Sequence, residues 1–374
     1  MNRLVALDLP GGARFVEALV EAWEDGDAVL PLDRRLPLAA RRLLAESMQA
    51  AVVVDESGST RLAGERPVES GDALVVPTSG STGAPKGVVL TIDAVKASAE
   101  ATSARLGIDP RADVWLACLP LSHVGGLSVV TRSLVTGTEL VVHDGFDATA
   151  VERAARQGVT AVSLVTTALQ RVEPALFRVI LLGGSAIPAD RPANSVATYG
   201  MTESGSGVVY DGVPLEGVEV RVVDAELQLR CPMLLRCYRD GTDPKTSDGW
   251  YPTGDLGTFD DGVVSVHGRA GDLIITGGEN VFPEPIERCL AEHPAIDDAA
   301  VLGLADAEWG QRVVALVTCS HDMPDLDAIR DHVKASLPPW CAPREVHRVA
   351  SIPRTALGKV ARASLDDLVP GTNR

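Results

Sequence analysis

Residues 77–88 read PTSGSTGAPKGV, a stretch of small and hydroxylated side chains with one lysine and almost nothing to bury. Bare backbone amides at Gly80 and Gly83 can approach a ligand closely, and Ser79, Ser81 and Thr82 offer hydroxyls. Lys86 adds positive charge, and the combination suits a chain of phosphates. It departs from the common nucleotide loop G-x-x-x-x-G-K-[ST]. Counted from Gly80, Pro85 stands where the second glycine belongs and Gly87 where the magnesium-binding hydroxyl belongs. A kinase or GTPase reading fails at both positions. Taken by itself the stretch also fits a flexible surface loop, which Gly/Ser clusters commonly are.

Four further motifs follow in order: YGMTES (199–204), WYPTGDLG (250–257), GRAGDLIITGGENVFPEPIE (268–287) and PRTALGKVAR (353–362). Together with the loop they resemble the adenylate-forming superfamily of acyl- and aryl-CoA ligases, luciferases and nonribosomal adenylation domains. The resemblance runs from about residue 73 to 362. It implies an enzyme that lets a carboxylate attack the α-phosphate of ATP, releases pyrophosphate, and passes the acyl group from the adenylate to CoA. The loop, with Thr82 also among its catalytic groups, would hold the β- and γ-phosphates. Glu203 would help bind Mg²⁺, a hard cation suited to oxygen ligands. Tyr199, Gly200, Met201 and Thr202, with Gly184, Ser185 and Ala186, would form the adenine slot. Asp255 would accept from both ribose hydroxyls, backed by Arg269, although an Asp after Gly is also a common turn former. Lys359 would stabilise charge building around the α-phosphate. Gly277 and Gly278 would give the pantetheine arm room, or mark a plain turn.

The resemblance also implies two working orientations of a small C-terminal domain about residues 269–272. Here Gly271 stands where the family usually has Asp or Lys. The acid is narrowed by two features. The family generally sets its phosphate loop much deeper in the chain, whereas here it begins near residue 78, and such compact members resemble the o-succinylbenzoate–CoA ligases of menaquinone biosynthesis. LPLSHVGGLSVVTRSL (119–134) is similar to their acyl-pocket segment. In it His123 would face the reacting carboxylate and Arg132 the substrate's second carboxylate. A structural histidine and an exposed ion-pair partner are the plain alternatives. A CoA ligase for another aryl or medium-chain acid, or a silent nucleotide-binding module, shares the outer motifs.

The elements that must carry these residues follow from pattern. ARFVEALVEAW and PLAARRLLAESM have apolar residues at helical spacing, while AVVV (51–54), ALVVP (73–77), ELVVH (139–143) and RVILLGG (178–184) read as buried strands. Their alternation predicts an α/β fold with parallel-rich sheets covered by helices. Short strands from about 205 predict a β subdomain, and helices and strands after 272 a small α+β domain. The expected division is a large domain over 1–268, a weakly structured hinge at 269–272 and a small domain over 273–374. The tail from 366 is expected to be disordered.

The chain of 374 residues is 45% hydrophobic and 23% charged, an ordinary globular composition. Its net charge of −17 argues against nucleic acid or an anionic membrane as partner. No apolar run approaches the ~20 residues that span a bilayer. The six cysteines lack any C-x-x-C pair and read as thiols of a reducing compartment, which makes the cytoplasm the expected location. Expected partners are the acid, ATP and CoA. The sequence is compatible with a homodimer.

Overall fold

The computed structural model describes residues 2–79, 85–184, 187, 190–354 and 360–370. Two seven-stranded sheets dominate the first part of the chain. One runs in the order Cys237–Tyr238, Pro85–Thr91, Asp72–Ser79, Ala28–Pro31, Leu4–Asp8, Val52–Asp55, Gly58–Arg61. Its middle strands are parallel, and Leu4–Asp8 and Ala28–Pro31 are buried along their whole length. Two-sided burial is why residues 4–7 and Ala28–Pro31 are continuously apolar. The other sheet runs Val213–Pro214, Gly207–Tyr210, Ser195–Gly200, Val179–Leu182, Ala161–Leu164, Val114–Ala117, Glu139–Val142, and its last five strands are parallel.

Two long helices, Ile92–Leu106 and Val124–Thr136, pack on each other. Thr91 caps the first by accepting from the Ala94 amide at 3.1 Å. Gly107 and Gly137, both left-handed, end the two helices. Val5, Leu7, Phe15, Leu19, Val76, Trp115 and Leu127 are buried in the central core. Four strands, Glu219–Val223, Glu226–Arg230, Tyr251–Asp260 and Val263–Arg269, form the expected β subdomain.

The chain separates into two compact units, one comprising residues 1–221, 228–252 and 260–264, the other 222–227, 253–259 and 265–374. In the second unit the strands Ile274–Thr276, Glu279–Val281, Asp298–Asp306, Gly310–Thr318 and Glu345–Arg348 form a sheet. The helices Pro283–Ala291 and Leu326–Lys334 contribute Ile286, Leu290, Ile329 and Val333 to the core on it. Two expectations need correction. Residues 270–272 are ordered as one 3-10 turn after the strand Val263–Arg269, because Asp272 is held at 2.8 Å by Arg362. Residues 366–368 form another such turn, and Val369 is buried with Leu365 against Leu302, Leu316 and Ile352; only residues 371–374 of the tail lie outside the described residues. Apolar side chains hold the segment where a polar tail would have left it loose. Among the described residues, no helix is long and apolar enough to cross a membrane.

Candidate functional site

Gly80, Ser81, Thr82 and Gly83 lie outside the described residues, but both arms that present them are defined. Asp72–Ser79 and Pro85–Thr91 form an antiparallel hairpin with Thr78 opposite Lys86 and Ser79 opposite Pro85. The Thr78 hydroxyl donates to the Lys86 carbonyl at 3.4 Å. Antiparallel strands thus flank the motif on both sides, whereas the usual phosphate loop leads from a strand into a helix. Pro85 is tolerated because it begins the second strand.

Lys86 lies with its ammonium 4.9 Å from the centre of the Tyr238 ring. The Tyr238 hydroxyl donates to Glu203 Oε1 at 3.0 Å. Burial first, then the Glu203 charge, push the Tyr238 phenol up to about 12, so it stays protonated and able to donate at neutral pH; a hydrogen bond with Tyr251 opposes this shift. Glu203 sits in a one-turn 3-10 helix over Thr202–Ser204. The Met201 amide donates to Ser204 Oγ at 3.0 Å, and the Leu235 amide donates to the Glu203 carbonyl at 2.7 Å. Among the described residues, no three His, Cys, Asp or Glu gather into a metal cage. A cation at Glu203 would thus take one protein carboxylate and fill its shell from phosphates and water, the pattern of Mg²⁺. The residues fit that ion.

The adenine-slot candidates also converge. Val179–Leu182 pairs in parallel with Ser195–Gly200, Leu182 opposite Ala197, so the carboxyl ends of both strands lie side by side. Gly184, with φ 101°, follows the first, and Tyr199 and Gly200 close the second at a bulge. The backbones are tight there: a Cβ on Gly200 would collide with the Ser206 carbonyl. Thr198 Oγ1 donates to the Leu182 carbonyl at 2.9 Å and ties the two ends together. Ser185 and Ala186 lie outside the described residues.

In the second unit Asp255, 7% exposed, is paired with Arg269 Nε at 3.0 Å, and Arg269 Nη1 donates to the Thr253 carbonyl at 2.7 Å. Thr253 Oγ1 accepts from the Asp255 amide at 3.0 Å and donates to the Leu227 carbonyl at 2.7 Å. This geometry turns the TGD sequence into a fixed carboxylate. Gly277 and Gly278 have φ 59° and 86° and form the two-residue turn between Ile274–Thr276 and Glu279–Val281, where both positions need the left-handed conformation. Lys359 lies outside the described residues, within 355–359. Its flanks are pinned: Arg354 and Val360 bridge, Arg354 holds Asp298 at 2.6 Å, and Arg362 holds Asp272 and Glu287 at 2.8 and 2.9 Å.

On the acyl segment, His123 precedes the helix Val124–Thr136. Its Nε2 lies 3.1 Å from Arg35 Nη2 and 3.6 Å from Asp33 Oδ2, while Arg35 itself clamps Asp33 at 2.8 and 2.7 Å. Burial, then the Arg35 charge, lower the His123 pKa, with Asp33 opposing. The ring is neutral at pH 7, with Nε2 accepting from Arg35 and the proton on Nδ1. Arg132 is only 1% exposed. Its guanidinium stacks 4.7 Å from the centre of the Trp115 ring, and burial lowers its pKa. Its Nε and Nη1 find no hydrogen-bond partner among the described residues. The alternative of an exposed ion-pair partner is overturned, because the helix turns this side chain into the core. A small cavity of about 10 Å³ lies beside the same helix, lined by residues that include Leu74, Leu90, Val124, Leu127, Ser128 and Gly205.

Sequence reasoning missed Tyr238, Asp33 and Arg35. The i, i+2 Asp–Arg pair in PLDRRLP is a local signal that could have been found; Tyr238, in RCYRDGTD, had none, since only the tertiary fold brings it to Lys86 and Glu203.

Comparison with known proteins bears on these placements. The AMP-binding enzyme family matches residues 55–232, and the AMP-binding enzyme C-terminal domain matches residues 285–359. A probable 2-succinylbenzoate–CoA ligase from Mycobacterium tuberculosis (strain ATCC 25618 / H37Rv) is 41% identical over 361 residues, covering 87% of this chain and 93% of the relative. The fold is similar to that of o-succinylbenzoate CoA synthetase from Bacillus subtilis in complex with its acyl-adenylate intermediate, with a TM-score of 0.86 at 28% identity, covering 97% of this chain and 88% of that one. The same enzyme in complex with ATP and magnesium ion gives a TM-score of 0.86 at 27% identity, covering 98% and 89%. The chain belongs to the AMP-binding enzyme family and is an AMP-forming acid–CoA ligase.

Proposed function

We propose that this ligase activates o-succinylbenzoate with ATP and transfers the acyl group to CoA, a step of menaquinone biosynthesis in the cytoplasm. The observation that carries the choice of acid is Arg132, a guanidinium buried in the acyl segment with two nitrogens that find no partner among the described residues. A buried cation without a counter-charge is costly, and a carboxylate arriving with the substrate relieves that cost. A site of this kind suits a dicarboxylate. The names of the relatives in M. tuberculosis and B. subtilis support the same acid.

In this reading Lys86 and the hydroxyls of the 79–83 loop orient the β- and γ-phosphates, so pyrophosphate is aligned as leaving group. Glu203 would hold Mg²⁺, which supplies charge neutralisation to the phosphates. Tyr199, Gly200 and Gly184 frame adenine, with Met201, Thr202, Ser185 and Ala186 completing the slot, and Asp255 with Arg269 fixes the ribose. One carboxylate oxygen of the acid attacks the α-phosphorus beside the neutral His123, and the P–O bond to pyrophosphate breaks. Lys359 stabilises the charge that builds on the oxygens of the transition state. The CoA thiolate then attacks the acyl carbon and AMP leaves with the bonding pair. The domain over 273–374 rotates about residues 269–272 between the two steps. Gly271 permits that rotation without strain, and Gly277–Gly278 pass close to the pantetheine arm.

The test is to follow pyrophosphate and thioester in parallel. With o-succinylbenzoate and ATP, pyrophosphate is released; an acyl-CoA thioester forms only after CoA is added. Pyrophosphate release confined to other acids would replace the substrate while leaving the family reaction in place.

A further inference from the structure

We propose that Tyr238 is a positioning residue that keeps Lys86 and Glu203 close but unpaired, so that the phosphate loop's cation and the metal-binding carboxylate both remain available to nucleotide. The proposal rests on the roles given above to Lys86 and Glu203. An ammonium and a carboxylate brought to one side of a site tend to close on each other, and a direct pair would blunt each for its own ligand. Among the described residues Lys86 and Glu203 make no such ion pair. Tyr238 stands between them. Its ring face takes the ammonium at 4.9 Å, where the negative face of an aromatic attracts a cation, and its hydroxyl takes one carboxylate oxygen at 3.0 Å. One neutral side chain thus binds two opposite charges through different parts of itself.

The backbone makes this an imposed arrangement. Tyr238 is 8% exposed and lies on a two-residue strand paired with the strand of Lys86, Tyr238 opposite Val88 and Cys237 opposite Val89. The Arg236 amide donates to the Val89 carbonyl at 2.9 Å and the Arg239 amide to the Gly87 carbonyl at 2.6 Å. One step upstream, the Leu235 amide donates to the carbonyl of Glu203 itself at 2.7 Å. Lys245 Nζ donates to the carbonyls of Leu235 and Arg236, both at 2.9 Å, and the Arg239 guanidinium donates to those of Met48 and Pro67 at 3.0 and 3.1 Å. The segment 235–239 is therefore bonded to the Lys86 strand on one side and to the Glu203 turn on the other. The backbone that carries the ring cannot move away from either charge without breaking several of these bonds.

The experiment is calorimetric titration of ATP, with no acid present, at zero and at graded Mg²⁺. Tyr238→Phe keeps the ring and loses the hydroxyl: metal-free ATP binding should match the parent, while the Mg²⁺ needed for half of the metal-linked gain in affinity rises about tenfold, the scale of a lost hydrogen bond to a charged group. Tyr238→Leu should also weaken metal-free ATP binding, by about threefold, through loss of the cation–ring contact. Far-UV dichroism confirms folding, and if the Leu variant does not fold the Phe variant alone decides. Lys86→Met and Glu203→Gln are titrated alongside. If they bind ATP and Mg²⁺ as the parent does, the phosphate and metal assignments fall. If they lose binding while Tyr238→Phe titrates like the parent, those assignments stand and the positioning role is rejected.

Discussion

On the proposed phosphate side of the first unit, Tyr238 holds Lys86 against its ring face and Glu203 through its hydroxyl. On the proposed acyl side, Arg132 is more deeply buried, and two of its nitrogens find no partner among the described residues, against an aromatic ring that offers a face and no counter-ion. The two regions use buried polarity in opposite ways. The first is pre-organised, so in the proposed function nucleotide binding would cost little reorganisation. In the proposed function the second carries an unmet electrostatic demand that a dicarboxylate would remove, and this would give discrimination more than stability. Between them His123 is an intermediate case, neutral and held at Nε2 by Arg35.

Breaking the chemistry shared by both sides should have the largest effect. Lys359→Ala should lower pyrophosphate release by ~10²–10³, the scale of removing one transition-state donor, while thioester formation from supplied acyl-adenylate is largely retained. Unchanged pyrophosphate release in that variant would reject the role of Lys359. Next comes Arg132→Met, which sharpens the contrast because it should hurt catalysis and help folding. It removes a buried charge that lacks a full set of partners among the described residues, and unfolding of the unliganded protein should shift upward by about 1–4 kcal/mol, the range seen when buried ionic groups give way to apolar ones. A fall in stability would mean the guanidinium is already satisfied and the contrast is false.

The smallest effect concerns His123. Its folded pKa is depressed below the ordinary 6.5, so the unfolded chain takes up this proton first as pH falls. The contribution to stability is complete above about 6.5 and is lost as pH drops toward the folded pKa. His123→Gln should therefore flatten part of the loss of melting temperature between pH 7.5 and pH 5.5. His143 and His293 are also depressed and keep the remainder of the slope. An identical slope in the variant would show that burial does not disfavour the charged ring.

Much of this fold was legible because its strands are short, apolar and flanked by Gly or Pro, and its helices carry clear apolar stripes. The runs at 51–54, 139–143 and 178–184 became Val52–Asp55, Glu139–Val142 and Val179–Leu182, although only the last is buried throughout; the first two are half-buried or partly exposed, nearer the margins of their sheets. The motif residues were legible for a different reason: Gly200 and the TGD run within Tyr251–Asp260 combine local backbone demands with candidate ligand groups, so the signal is short in sequence. The hairpin at the phosphate loop was harder, since PKGVVL shows no alternation when both faces of its strand are covered. Tyr238 was invisible, because its partners are distant in the chain and a lone aromatic between Cys237 and Arg239 looks like core. The burial of Arg132 was hidden too; a single arginine on an otherwise apolar helix reads equally well as an outward charge until the neighbouring Trp115 is placed.

The most direct measurement is the ratio of kcat/KM for o-succinylbenzoate to that for the matching aryl acid without the second carboxylate, read by pyrophosphate release. An arginine waiting in the core for that group predicts discrimination of several powers of ten, on the order of 10⁴, and its collapse in Arg132→Met. Equal turnover of the two acids by the unaltered enzyme would contradict the account.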